Sequence, residues 1–178
     1  MASGLVEFDI THDMVLFKLN APFVISDHVS TICLPKNKNT KLPVGTKCYL
    51  TGWGETRGTG DSSILKQLKV TIRDLSECQV STNVPGGPKL NKETMICLKP
   101  DNHGNGACAG DSGGPLVCSD NVNHPEDGTW TLYGVASFVT DSNSLKPVCG
   151  SNETAVVYNS VSAKLGWINK AFQLLEHN

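Results

Sequence analysis

Seven cysteines lie in the 178 residues, and they constrain the fold of this chain more than any other feature. They are Cys33, Cys48, Cys78, Cys97, Cys108, Cys118 and Cys149. No two of them form the Cys-x-x-Cys pair that is typical of a zinc site, so we expect no bound metal. Disulfides in an oxidising compartment are the better interpretation. Because seven is odd, one cysteine is left over for an intermolecular bridge or as a reactive thiol.

The pattern between the cysteines is that of an antiparallel β protein. Short runs of β-forming residues alternate with turns rich in Gly, Pro and polar residues; the runs are 14–19, 47–51, 65–72, 115–118, 129–140 and 155–158. Such spacing is typical of an all-β sandwich or barrel. We predict one helix, from about residue 162 to 177. The apolar residues that recur there at helical spacing are Val161, Leu165, Ile168, Phe172 and Leu175.

Charge and hydropathy exclude several classes of function. Lys and Arg number 15 against 17 Asp and Glu, so no basic excess favours nucleic acid. The longest apolar stretches are far shorter than the roughly 20 residues of a membrane-spanning helix. We therefore expect neither nucleic acid nor membrane as a partner. The first eight residues have no basic segment and no apolar core, so they do not form a secretory signal.

The most informative segment is 106–118, in which several glycines surround Ser112. Glycine allows a positive φ and a close approach of backbone to a ligand. A tight turn of this kind presents the Ser112 hydroxyl to a substrate carbonyl. The backbone N–H groups of Gly110 and Ser112 would then converge on the oxyanion that forms. An ordinary hairpin turn would explain a single Gly-Gly pair but not the whole string.

The string Gly-Asp-Ser-Gly-Gly-Pro at 110–115 resembles the nucleophile segment of the chymotrypsin/trypsin-like serine endopeptidases. Residues 12–19 are similar to the family segment that carries the triad Asp, here Asp13. Residues 32–35 and 50–54 resemble the connection between the two barrels and the start of the second. Trp167 and Ile168 match the C-terminal helix. The resemblance covers nearly the whole chain and implies peptide-bond hydrolysis through an acyl-enzyme on Ser112, with no cofactor and with protein or peptide substrates.

The resemblance also implies the disulfides and the specificity pocket. The implied disulfides are Cys48 with Cys118, Cys78 with Cys97, and Cys108 with Cys149, which leaves Cys33 to bridge to a missing N-terminal segment. The implied pocket has Gly106 and Ala107 at its base and Val139 and Val156 at its walls. Because no acidic residue stands at 106 and two valines narrow the walls, an elastase-like preference for small aliphatic side chains is favoured over Lys or Arg. Both valines could instead be ordinary strand core. Ser137 matches the strand that pairs with substrate backbone.

The chain departs from the family at the triad His. In the chymotrypsin template the His precedes the Asp by about 45 residues, whereas 12 residues precede Asp13. None of the five histidines has the family's Ala-Ala-His-Cys setting, and we interpret all five as surface or loop residues; they are His12, His28, His103, His124 and His177. The first residues do not match the family's Ile/Val-Val-Gly-Gly start either. Asp111, which pairs with that N-terminus, should then have no partner, and its turn should be zymogen-like.

The expected architecture has two parts. Residues 1–32 are a remnant of a first barrel that includes Asp13, and residues 33–178 form a complete second barrel with the C-terminal helix. The apolar face that a first barrel would cover should be exposed. Two functions stay open. One is an N-terminally truncated, inactive form of an extracellular serine endopeptidase; the other is a non-catalytic binding module or decoy isoform.

Overall fold

A computed structural model describes residues 13–55, 62–79, 88–101, 105–141, 148–151 and 154–176; residues 175 and 176 are described by backbone alone. The strands of this described part are β1 (Lys47–Gly52), β2 (Lys66–Arg73), β3 (Met95–Pro100), β4 (Pro115–Ser119), β5 (Trp130–Asp141) and β6 (Thr154–Ser160). They pair antiparallel and close into a barrel in the order β1-β2-β3-β6-β5-β4. A helix, α1 (Val161–Glu176), follows β6 directly. The predicted all-β barrel with a C-terminal helix is therefore confirmed.

Two strand predictions need correction. Residues 14–19 were expected to form a strand, but they form none, because no neighbouring strand in the described residues pairs with them. Strand β3 was not predicted. Its buried and half-buried positions do not alternate strictly, so it lacks the period-of-two pattern by which half-buried strands are recognised. Both edges of β3 are hydrogen-bonded, one to β2 and the other to β6.

The barrel closes between β1 and β4. Tyr49 pairs with Val117 and Leu50 with Leu116 at this seam. The Cys48–Cys118 disulfide joins the same two strands covalently. The interior is filled by buried side chains from all six strands and from the segment before β4; they include Cys48, Leu50, Val70, Ile72, Leu98, Ala107, Leu116, Ala136, Val156 and Tyr158.

Helix α1 packs through part of its predicted apolar stripe. Val161, Leu165 and Ile168 are buried. Phe172 was expected to continue the stripe but is 47% exposed. The side chain of Leu175 lies outside the described residues, and among the others only those in the first half of the helix are buried.

Residues 13–32 form no regular strand. Many of their apolar side chains face solvent; Phe17 is 81% exposed and Val24 84%. The chain joins the sheet at Cys33, whose N–H donates to the Trp130 carbonyl and whose carbonyl accepts from the Leu132 N–H.

The structure contains the three disulfides that the family resemblance implied, namely Cys48–Cys118, Cys78–Cys97 and Cys108–Cys149. Cys33 is free and exposed.

A polar network ties three strand ends together at the rim of the barrel. The Lys47 ammonium at the start of β1 contacts both carboxylate oxygens of Asp101, which follows β3, at 3.0 and 2.9 Å. The Thr71 hydroxyl on β2 donates to the same carboxylate. Burial acts to raise the pKa of Asp101, but the Thr71 hydroxyl and the Lys47 ammonium outweigh it and hold that pKa below its ordinary value.

Candidate active site

The turn that carries Ser112 has left-handed backbone on both sides of it. Gly110 has a φ of 95° and Gly113 a φ of 80°. Only glycine adopts such angles without strain, which explains why glycines stand at these two positions. The turn holds Ser112 at the surface, where its side chain is exposed.

Two backbone donors of this turn are left without an acceptor in the part of the chain that the structure describes. They are the N–H groups of Gly110 and Ser112. The neighbouring groups are all paired: Asp111 donates to Cys108, Gly113 to Ala136, and Gly114 to Asp111. Both N–H groups are therefore available to donate to a ligand, as donors that bind a developing oxyanion must be.

The carboxylate of Asp111 is satisfied by backbone, which corrects the prediction that it would have no partner. One oxygen accepts from the Gly54 N–H at 2.8 Å, and the other accepts from the Cys108 N–H at 2.9 Å. Both bonds have an ionised acceptor and are therefore stronger than neutral ones. They fasten the nucleophile turn to the segment that follows β1 and to the irregular segment that precedes the turn. The sequence could not show this, because both donors are main-chain groups.

Two glycines leave the space that this carboxylate occupies. A Cβ on Gly52 would lie 2.9 Å from the Asp111 Cγ and closer still to its oxygen, and a Cβ on Gly54 would overlap the same group. Neither glycine has a positive φ. They are therefore required by the close approach of Asp111 and not by backbone conformation.

Asp13 is held beside the nucleophile turn through β5. Its carboxylate accepts from the Ser137 hydroxyl at 2.7 Å, and its backbone carbonyl accepts from the Asn159 side-chain amide at 3.1 Å. Ala136, next to Ser137, accepts from Gly113 and donates to Gly114, at 2.9 and 2.8 Å. Adjacent residues of one strand thus anchor both Asp13 and the turn of Ser112.

The four predicted pocket residues lie in one region of the barrel. Val139 and Val156 are directly opposite each other in the β5–β6 register, so their side chains share a face of the sheet. Val156 and Ala107 belong to the same buried cluster, while Val139 is half-buried. Gly106 packs so closely on Gly150 that a Cβ would lie 3.2 Å from the Gly150 nitrogen.

Tyr158 supports this region from the core. Burial, together with the nearby charge of Asp111, raises the pKa of Tyr158 well above its ordinary range, so its hydroxyl stays neutral. A cavity of about 260 Å³ opens beside Asp111, Gly106 and the Cys108–Cys149 disulfide. The region therefore combines a buried floor with an open space next to the nucleophile turn.

Comparison with known proteins agrees with this geometry. Residues 3–168 match the family model described as Trypsin. The chain belongs to the trypsin family. Its curated relatives include an ovochymase from Halocynthia roretzi, 33% identical over 156 residues. That match covers 88% of this chain and 9% of the relative, so the chain spans less than a tenth of that protein's length.

Two of the five histidines of this trypsin-family chain lie in described residues. His28 and His124 are both exposed, and His124 lies 3.5 Å from a carboxylate oxygen of Glu126. Neither one is hydrogen-bonded to Asp13 or to Ser112. His12, His103 and His177 lie outside the described residues.

One residue of the site, Asn159, was not predicted from the sequence. Asn159 was not selected, although it is 99% buried and holds the backbone of Asp13. The available signal was an Asn directly after the largely apolar run 155–158, since an amide that is buried with such a run needs hydrogen-bond partners. Within the described residues, no helix is both long and apolar enough to cross a membrane.

Proposed function

We propose that this chain carries the nucleophile, the oxyanion donors and the orienting Asp of a serine endopeptidase that acts outside the cell. One observation carries the proposal. The nucleophile turn bonds to Ala136 and the Asp13 carboxylate bonds to Ser137, so one strand positions both groups. This shared anchoring supports the proposal, because the triad mechanism needs the nucleophile and the orienting Asp at a fixed separation.

In the proposed reaction the Ser112 oxygen attacks the scissile carbonyl and forms a tetrahedral intermediate. The N–H groups of Gly110 and Ser112 donate to its oxyanion. Asp13 orients the imidazole that takes the hydroxyl proton and later gives it to the leaving amine. We assign that imidazole to none of the five histidines of this chain. The 178 residues by themselves therefore lack the general base, and we expect them not to turn over peptides.

The walls of the proposed pocket favour small aliphatic substrate side chains. Val139 and Val156 face each other across β5 and β6, and each adds branched apolar bulk where glycine would leave a deep slot. No carboxylate stands at position 106 to pair with Lys or Arg. Ser137 lies where the β5–β6 register shifts, between Ala136 and Phe138, which supports its assignment to the strand that receives substrate backbone.

Peptidyl boronic acids test this proposal without requiring turnover. The boron forms a bond to the serine oxygen, the hydroxyl proton goes to solvent, and the tetrahedral adduct occupies the oxyanion site. We expect the 178-residue chain to bind a boronate in which the residue that bears the boron has an Ala or Val side chain more tightly than one in which that residue has a Phe or Lys side chain. The measurement is isothermal titration calorimetry with each boronate in turn.

Three variants make the test specific. Ser112→Ala should abolish binding, and Val139→Gly with Val156→Gly should shift the preference towards Phe. Val122→Gly is the matched control, because Val122 is exposed and lies in a loop far along the chain from either wall. Binding that survives Ser112→Ala would contradict the proposal and favour the non-catalytic binding module.

A further inference from the structure

A second cleft lies at the C-terminal end of strand β2, whereas the cavity beside Asp111 lies at the N-terminal end of that strand. It has a volume of about 240 Å³ and is bounded by the loop before β1, the end of β2, the start of β3 and the junction of β6 with α1. None of the residues proposed for catalysis lines it. We call it the Arg73 cleft, after the residue at the end of β2; its cationic members are Lys38, Lys41, Arg73 and Lys92, and its hydroxyl members are Thr40, Tyr133, Ser160 and Ser162.

Positive charge dominates the Arg73 cleft although the whole chain is net −2. Four cationic side chains line it, against the carboxylates of Asp74 and Glu93. Glu93 is already paired with Lys41 at 2.9 Å. The Asp74 carboxylate caps the following turn by accepting from the Ser76 N–H and hydroxyl at 2.9 and 2.6 Å. Glu93 and Lys41 therefore offset each other within the cleft, whereas Asp74 keeps its charge, and the four cations outnumber the two carboxylates of the lining.

Three cations are left without a hydrogen-bonded or ion-paired partner in the described residues: Lys38, Arg73 and Lys92. Arg73 is the most informative of them, because its Nε is buried and makes no hydrogen bond. A buried donor without an acceptor costs free energy unless a ligand or water satisfies it. The guanidinium also presents a planar set of donors that matches an oxyanion geometrically.

The start of α1 adds to the same field. Ser160 and Ser162, at the junction with β6, line the cleft, and α1 is 16 residues long. The first N–H groups of a helix carry partial positive charge. The Ser160 oxygen accepts from the Ala163 N–H at 3.4 Å, a long bond, and the two serine hydroxyls lie 2.9 Å apart. One of the two hydroxyls donates to the other, which leaves one hydroxyl hydrogen to donate to an anion in the cleft.

The walls between the charged groups are apolar. Leu42, Val44 and Tyr133 contribute to them, so the cleft is not a flat strip of surface lysines. Its volume exceeds that of one tetrahedral oxyanion and falls below that of typical drug-sized pockets, which are about 300–1,000 Å³. The space therefore fits an oxyanion together with part of the small group that carries it.

We propose that the Arg73 cleft binds a sulfate or phosphate ester group of a small ligand, with Arg73 and Lys92 as its main cationic contacts. This site is independent of the nucleophile turn and of the peptidase proposal. A sulfate ester and a phosphate ester both present tetrahedral oxyanions to the cleft. A matched pair of sugars, glucose 6-sulfate and glucose 6-phosphate, distinguishes the two.

The test is calorimetric titration of the full 178-residue chain at constant ionic strength. Inorganic sulfate, inorganic phosphate and the two sugar esters are the probes, and chloride is the reference anion. We expect saturable binding of one equivalent of an ester. Arg73→Gln should weaken it by about tenfold or more, because a charge-assisted hydrogen bond is lost. Lys92→Gln should weaken it by about threefold or more. The tighter of the two esters identifies the source of the oxyanion.

Lys170→Gln is the matched control, since it removes the same charge from an exposed position on α1 that does not line the cleft. It should change the dissociation constant by less than about twofold, as expected of a distant screened charge. Circular dichroism checks that each variant is folded, and if Arg73→Gln is not, Lys92→Gln decides. Non-saturable binding, binding of inorganic ions without either ester, or equal weakening by Lys92→Gln and Lys170→Gln would each overturn the proposal.

Discussion

The substitution Gly52→Ala tests how the nucleophile turn is held to the barrel. A methyl group at this position would overlap the Asp111 carboxylate, since a Cβ would lie 2.9 Å from the Asp111 Cγ. The backbone of Gly52 accommodates alanine, because its φ is not positive. The carboxylate must therefore move, and its bonds to the N–H groups of Gly54 and Cys108 are lost or lengthened.

The size of the effect follows from these two bonds. A hydrogen bond to a charged group contributes roughly 1.5–3 kcal/mol net. Asp111 is half-buried, so water replaces part of what is lost, and we expect the free energy of unfolding to fall by about 2–4 kcal/mol. For a chain of this size, each kcal/mol shifts the Tm by about 2–4 °C. The expected decrease in Tm is therefore about 5–15 °C.

The assay is thermal unfolding followed by circular dichroism, with Gly166→Ala as the control. Gly166 lies within α1, and a Cβ there would meet nothing within 4 Å. Alanine in a helix is about 0.5–1 kcal/mol more favourable than glycine, so this variant should be slightly more stable than the original chain. A Tm for Gly52→Ala equal to that of the original chain would refute the reasoning, because the carboxylate would then be dispensable where it is.

Three further predictions concern stability. Asp101→Asn should lower the Tm at pH 7. The pKa of Asp101 is lower in the folded chain than its unfolded value of 3.8, so its contribution to the free energy of unfolding is present above pH 3.8 and is lost as the pH falls through the folded-state pKa. The difference in Tm between the original chain and the variant should therefore vanish in acid. A difference that is constant with pH would contradict this. Replacing Cys108 and Cys149 together by Ser should cost about 3–4 kcal/mol in chemical denaturation, since the bridge closes a loop with a sequence separation of 41; an unchanged denaturation midpoint would be inconsistent with a structural bridge. Ile168→Ala, at a buried position of α1, should cost about 2–5 kcal/mol, and a loss below 1 kcal/mol would show that the helix does not dock there.

Much of this fold could be predicted because the determining signals are local. Glycine- and proline-rich turns separate the strands, and the stripe of Val161, Leu165 and Ile168 marks the docked part of α1. The serine turn was also evident, since its glycines adopt angles that other residues avoid. The three disulfides followed from the family resemblance and not from the cysteine spacing, which by itself permits many pairings.

The features that escaped prediction depend on long-range backbone contacts. The satisfaction of Asp111 relies on main-chain N–H groups, one of them 57 residues away in sequence, and no side-chain pattern encodes such donors. The link between Asp13 and Ser137 spans 124 residues. The absence of a strand at 14–19 has the same origin, since β-propensity expresses itself only where a neighbouring strand supplies the pairing.

The central claim is that this chain presents Ser112 and its oxyanion donors in place, without a general base of its own. Fluorophosphonate labelling of the folded 178-residue chain, with Ser112→Ala as the reference, tests it most directly. We predict no labelling above the Ser112→Ala background, alongside tight binding of an Ala or Val boronate that the same substitution abolishes. Rapid labelling of Ser112 would contradict the account, because one of the five histidines or another group of this chain would then have to act as the base.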